Sequence, residues 1–126
     1  MGHVWVKAKL GDPERVNVIE VNALVDTGAT LTVIPRDVAR ELRLKPTGRS
    51  VVETGAGRLE FERTRIWLEL EGEGEMVPAL ISDIIDKVLI GVTALEVLGL
   101  QVDPLTGRLK KWTLLLYQLS TPRTRP

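Results

Sequence analysis

An all-β fold with one or two short helices is predicted for this 126-residue chain by three observations. Apolar and polar residues alternate with period two over residues 4–10 and 66–71, as in half-buried strands. Gly, Pro, Asp and Asn punctuate the chain at short intervals, and only two stretches carry helical spacing.

Val4, Val6, Ala8 and Leu10 share one face of a first strand, with Trp5, Lys7 and Lys9 on the other, and Gly11-Asp12-Pro13 breaks the run. Residues 15–25, rich in Val and Ile, predict a second strand that delivers the chain to a loop at Asp26-Thr27-Gly28. Strand character resumes at 31–34, and Pro35 opens a short helix on which Val38, Ala39 and Leu42 share a face. Lys45-Pro46-Thr47-Gly48 is expected to end it. Residues 50–62 read as a hairpin with a flexible tip at Gly55-Ala56-Gly57. Residues 66–81 read as a second hairpin, turning at 72–75, with one acidic and solvated face. An apolar strand at 88–90 passes through Gly91 into a short helix whose Val92, Leu95 and Leu98 share a face and which Gly99 stops. Residues 102–107 have the turn chemistry of a hairpin joining 101–102 to a strand within 108–117. The last stretch, 118–126, carries two prolines and almost no apolar side chain, so it reads as a disordered tail behind a single domain, 1–117.

Composition removes several function classes. Seventeen basic residues balance seventeen acidic ones, so no global field draws nucleic acid or an anionic membrane. The cluster of Arg108, Lys110, Lys111, Arg123 and Arg125 reads as solvated surface. Apolar runs stay far below the roughly 18 residues of a spanning helix, and no leader precedes the first strand, so the expectation is a soluble, cytoplasmic protein. The absence of cysteine excludes disulfide scaffolds, thiolate nucleophiles and cysteine-based zinc sites, and His3, the one histidine, sits at the N-terminus. No metal or cofactor is expected. Few amides and many Glu, Arg and Lys resemble thermophile composition.

The residue that asks for an explanation is Asp26. Leu24, Val25, Leu31, Val33 and Ile34 surround it in sequence, and a carboxylate in such a setting is penalised unless it is paired or protonated. A turn that needed only a polar group could use Asn or Ser, so the acid points to chemistry.

The stretch 24–30 (Leu-Val-Asp-Thr-Gly-Ala-Thr), the glycine-bearing stretch 53–60 and the stretch 89–99 beginning Leu-Ile-Gly occur in an order and spacing that resembles the retropepsin-like aspartic proteases, in their cellular and microbial branch. The resemblance extends from the first strand to about Trp112. It implies a closed β-barrel, hydrolysis of peptide bonds, and a catalytic role for Asp26 supported by Thr27, Gly28 and Gly91. Substrate contacts would fall on Gly28, Ala29, Thr30, the flap residues Gly55, Ala56 and Gly57, and the pocket positions Lys87 and Leu89. Amide hydrolysis by carboxylates needs one ionised group to take a proton from water while a protonated one polarises the carbonyl. No second Asp-Thr-Gly or Asp-Ser-Gly is present, so the pair requires two copies of Asp26 across a two-fold axis, sharing one proton. The expected partners are therefore a second copy of the chain and a peptide substrate. The chain departs from retroviral members, which carry Asp and Arg where Thr30 and Val92 stand, and this puts a retroviral-style dimer salt bridge in doubt. A peptide-binding or dimerisation module with the same fold but no hydrolysis is the alternative.

Overall fold

A computed structural model describes residues 4–112; expectations for His3, for the strand beyond Trp112 and for the tail at 118–126 lie outside the described residues. Among the described residues, nine strands and two short helices are formed in the order β1 (Val4–Gly11), β2 (Val18–Val25), β3 (Thr32–Pro35), α1 (Arg36–Glu41), β4 (Gly48–Thr54), β5 (Gly57–Leu70), β6 (Glu73–Ser82), β7 (Val88–Ile90), α2 (Val92–Leu98), β8 (Leu100–Asp103) and β9 (Arg108–Lys111). In space the large sheet runs β1-β2-β7-β3-β6-β5-β4. A second pairing of β1 with β5, through Lys9 with Glu69, Leu10 with Leu68 and Gly11 with Trp67, closes six of these strands into a barrel and leaves β4 outside the ring.

The alternation read along β1 is what the barrel uses: Ala8 and Leu10 point to the interior, while Trp5, Lys7 and Lys9 face out. Leu10, Ile34, Ile66, Leu68, Val77 and Ile90 are fully buried at the centre. Each such side chain contributes about 1.5–3 kcal/mol by leaving water. Helix α1 buries Ala39, and Leu42 just beyond it, as their spacing predicts. It ends earlier than expected, because Arg43 adopts a left-handed backbone (φ 56°) without glycine. Gly99 takes the left-handed conformation that stops α2 (φ 69°), in line with the sequence.

Three further boundaries differ from the sequence reading. Strand β2 starts at Val18 rather than at residue 15. Asp12 closes a loop over 12–17, accepting the Arg15 amide at 2.9 Å on its carbonyl and the Asn17 amide at 2.6 Å on its carboxylate. The second hairpin turns at Glu71 and Gly72, both left-handed (φ 51° and 78°), so Gly74 and Glu75 belong to β6. At Gly74 a side chain would collide with the Trp67 ring, which lies across the strand and carries the Arg15 guanidinium 4.2 Å above it. Finally, β5 is one unbroken strand of 14 residues shared by both hairpins. Its first part pairs with β4 and its second with β6. No helix among the described residues is long and apolar enough to cross a membrane.

An ion cluster ties the start of α1 to the sheet. Arg36 donates to both carboxylate oxygens of Asp83, at 2.8 and 3.1 Å, and to Glu62 of β5. The hydrogen bonds from Arg36 hold the Asp83 carboxyl below its usual range, opposed by desolvation and helped by the charges of Arg36 and Arg40. A carboxyl depressed in the folded state stabilises above its unfolded value and loses that contribution as pH falls through the folded one. The melting-temperature gap between wild type and Arg36→Gln should therefore be full at pH 6–7 and narrow below about pH 4. A gap that stays constant down to about pH 2 would contradict the role given to the cluster.

Candidate active site

The position of Asp26 follows from strand order. Strand β7 is inserted between β2 and β3, pairing parallel with β2 through residues 23–25 and antiparallel with β3 through Val33 and Leu89. The chain that leaves β2 at Val25 must therefore pass over the end of β7 before it can enter β3. The loop 26–31 is that crossing, and main-chain bonds fasten it to the segment below. The Asp26 amide donates to the Ile90 carbonyl at 2.9 Å, the Val92 amide to Ala29 at 2.8 Å, and the Thr93 amide to Thr30 at 3.0 Å. Where the retroviral pattern has a charged pair, Thr30 and Val92 thus lie on two segments joined through the backbone.

Within the loop, the Asp26 side chain makes its own turn: its Oδ1 accepts the Gly28 amide at 2.9 Å, and its carbonyl accepts the Ala29 amide at 3.0 Å. Asp26 is half-buried as a residue, with Thr27 and Gly28 exposed beside it. A side chain on Gly28 would stand 3.3 Å from Oδ1, so glycine leaves the face of the carboxylate open.

Gly91 is explained by close approach rather than by helix initiation. A Cβ there would lie 2.5 Å from the carbonyl carbon of Leu31, 2.6 Å from its oxygen and 2.9 Å from the Thr32 nitrogen, all main-chain atoms. Its buried amide donates to the Thr32 hydroxyl at 3.1 Å, and Thr32 is itself fully buried. Without that hydroxyl the amide would be left unpaired, at a cost of about 1–3 kcal/mol. Thr32 is a support residue that sequence reading missed. A polar residue at the start of an otherwise apolar strand was the available signal.

A cleft of about 650 Å³ opens over Asp26. Its floor is Asp26, Gly28, Ala29 and Thr30, continued by Leu31, Val33 and Leu80, and its far wall is the β4 arm from Ser50 to Thr54. The sequence pointed to the hairpin tip as the covering element. The tip is a two-residue turn, Gly55-Ala56, in which the Thr54 hydroxyl donates to the Gly57 carbonyl at 2.8 Å and accepts the Ala56 amide at 3.1 Å. Gly55, Ala56 and Gly57 are exposed and stand beyond the cleft, whose wall is formed by the arm. Lys87 and Leu89 also stand outside it. Lys87 donates to Asp86 at 2.7 Å, and Leu89 lies half-buried in β7 between Leu24 and Val33. Among the described residues no group of three His, Asp or Glu side chains could hold a metal ion.

The family model described as "gag-polyprotein putative aspartyl protease" matches residues 14–97. Among solved structures, the fold is similar to that of EIAV protease in complex with the inhibitor HBY-793, with a TM-score of 0.61 at 20% identity over 78% of this chain and 89% of that one. A retropepsin-like aspartic protease from Rickettsia conorii matches with a TM-score of 0.58 at 19% identity, over 81% of this chain and 77% of that one. Simian Foamy Virus (mac) protease gives 0.54 at 17% identity, over 73% and 91%. No curated protein matches the sequence.

Proposed function

Because this chain belongs to the gag-polyprotein aspartyl protease family, we propose that it is an aspartic endopeptidase whose active site forms when two copies bring their Asp26 carboxylates together. The observation that carries this reading is the loop itself: a half-buried aspartate, pinned by backbone bonds to the β7–α2 junction, at the floor of an open cleft. One chain offers one such carboxylate, and the chemistry needs two.

In the dimer the two carboxyls lie too close for both to ionise and so hold one proton between them. A water seated between them gives its proton to the ionised carboxylate as its oxygen attacks the peptide carbonyl carbon. The protonated carboxyl donates to the carbonyl oxygen, which becomes the hydroxyl of a tetrahedral intermediate. Collapse of that intermediate re-forms the C=O bond, breaks the C–N bond and delivers a proton to the leaving amine. Thr27 would hydrogen-bond across the subunits to hold the two loops, and the Gly28 carbonyl would accept a substrate amide. The β4–β5 hairpin, with its tip at Gly55, Ala56 and Gly57, would close over an extended peptide and exclude water. Residues 1–117 would act as the single folded unit.

The test is hydrolysis of an extended peptide by wild type and by Asp26→Asn over a range of protein concentrations. Cleavage by wild type that rises as dimer forms supports the reading. Peptide binding without cleavage by either protein would point instead to a binding module.

A further inference from the structure

We propose, on the proteolytic reading above, that Glu53 selects substrates carrying a basic side chain beside the apolar residue that fills the cleft. Ala29, Leu31, Val33, Val51, Val52 and Leu80 supply apolar walls, which suit an aliphatic or aromatic side chain. The ionisable groups lining the cleft are Asp26 and Glu53, both acidic, and no Lys, Arg or His lines it among the described residues. Asp26 belongs to the reacting centre. Glu53 is the charge left to read a substrate side chain.

The position of Glu53 suits that task. Strand β4 is the last strand of the sheet, paired with β5 on one side only, so its other edge can receive an extended peptide. Side chains of a peptide laid along that edge alternate between the two faces, which brings every second one to the Val51 and Glu53 side of the arm.

Glu53 is also the most loosely held carboxylate of the hairpin. Glu62 is engaged by Arg36, and Glu60 lies 3.0 Å from Arg49. The ion pair of Glu53 with Arg58 spans 3.9 Å, with the two side chains 77% and 75% exposed. A solvated pair at that separation is weak, so a substrate ammonium or guanidinium can take the place of Arg58 without breaking a buried bond.

The experiment uses the full chain and a set of peptides sharing one cleavable apolar core, with Lys, Gln or Glu placed in turn at each flanking position. For at least one position, wild type should cleave the Lys peptide with a kcat/KM roughly three- to tenfold above the Glu peptide, chiefly through KM. That ratio should collapse towards one in Glu53→Gln, rise in Arg58→Gln, and shrink in wild type as salt increases. Opposite movements in the two variants separate charge selection from loss of a hairpin-holding pair, which would move both alike. The inference is overturned if cleavage is Asp26-dependent but no position's Lys-to-Glu ratio moves more than about twofold in Glu53→Gln. Cleavage of none of the peptides would instead overturn the proteolytic reading, and this proposal with it.

Discussion

Asp26→Asn is expected to lose peptide cleavage by about three orders of magnitude or more while keeping its fold. Under the proposed mechanism the loss is large because the substitution would remove the proton acceptor and the shared proton from both halves of the dyad at once. A positioned general acid or base alone is worth about 10²–10⁴ in rate. Fold is retained because the role of Asp26 within its own chain is modest. Its Oδ1 accepts the Gly28 amide, its main-chain nitrogen donates to Ile90, and its carbonyl accepts the Ala29 amide. An asparagine Oδ1 can accept the same amide, and the two backbone bonds do not depend on the side chain. The melting temperature of Asp26→Asn should match wild type within about 2 °C, since a solvent-reached substitution that keeps its hydrogen bond costs little. Loss of activity together with a large fall in melting temperature would mean that Asp26 holds the loop rather than performs the reaction.

The second large effect is expected at Gly91. Alanine there has no room, since the atoms it meets are the Leu31 carbonyl and the Thr32 nitrogen, at 2.5 to 2.9 Å, and main chain cannot swing aside as a side chain does. Relief requires the 26–31 loop to lift off the β7–α2 junction, which lengthens the bonds from Val92 to Ala29 and from Thr93 to Thr30. Overpacking of this kind costs about 2–4 kcal/mol, or about 10 °C in melting temperature for a domain of this size. Because the same loop carries Asp26, activity should fall by a further factor on the order of 10² for a displacement near 1 Å. Gly55→Ala is the matched control. A side chain at the hairpin tip meets nothing within 4 Å, so its melting temperature should barely change. Equal melting temperatures for the two variants would dispose of the close-approach explanation for Gly91.

These two residues show what the sequence carries well. Asp26 stood out as a charge between apolar strands, and Gly91 as a glycine between an apolar strand and a helix, because both signals are local. Period-two alternation likewise located β1 and the paired stretches of β5 and β6. Strand order was not local information. That β7 lies between β2 and β3, which makes the 26–31 loop cross over Gly91, depends on a parallel pairing with β2 and an antiparallel one with β3, between segments far apart in the chain. Such pairings leave no periodic trace in either segment.

The cleft lining was hidden for a related reason. The arm carries only a weak alternation, Ser50 and Val52 half-buried and Val51 and Glu53 exposed, and residues 53–60 of the β4–β5 hairpin are all exposed, so the glycine-rich turn is the stronger local signal and marks the tip instead of the arm. Thr32 was missed because its hydroxyl meets Gly91, a residue far away in sequence, in a bond that only the folded barrel creates. The early stop of α1 shows the opposite limit: Lys45-Pro46-Thr47-Gly48 is the stronger local signal, yet Arg43 turns the chain first.

The measurement that bears most directly on a site shared between two chains is titration of wild-type protein with Asp26→Asn under conditions where subunits exchange and dimer is saturated. If each active site needs one Asp26 from each copy, wild-type activity should fall with the chance of meeting a wild-type partner. It should reach about one tenth at a ninefold excess of the variant, as expected for random pairing in a two-fold dimer. Wild-type activity that is unchanged by that excess would show that a single chain completes the site alone, and the two-copy account would be wrong.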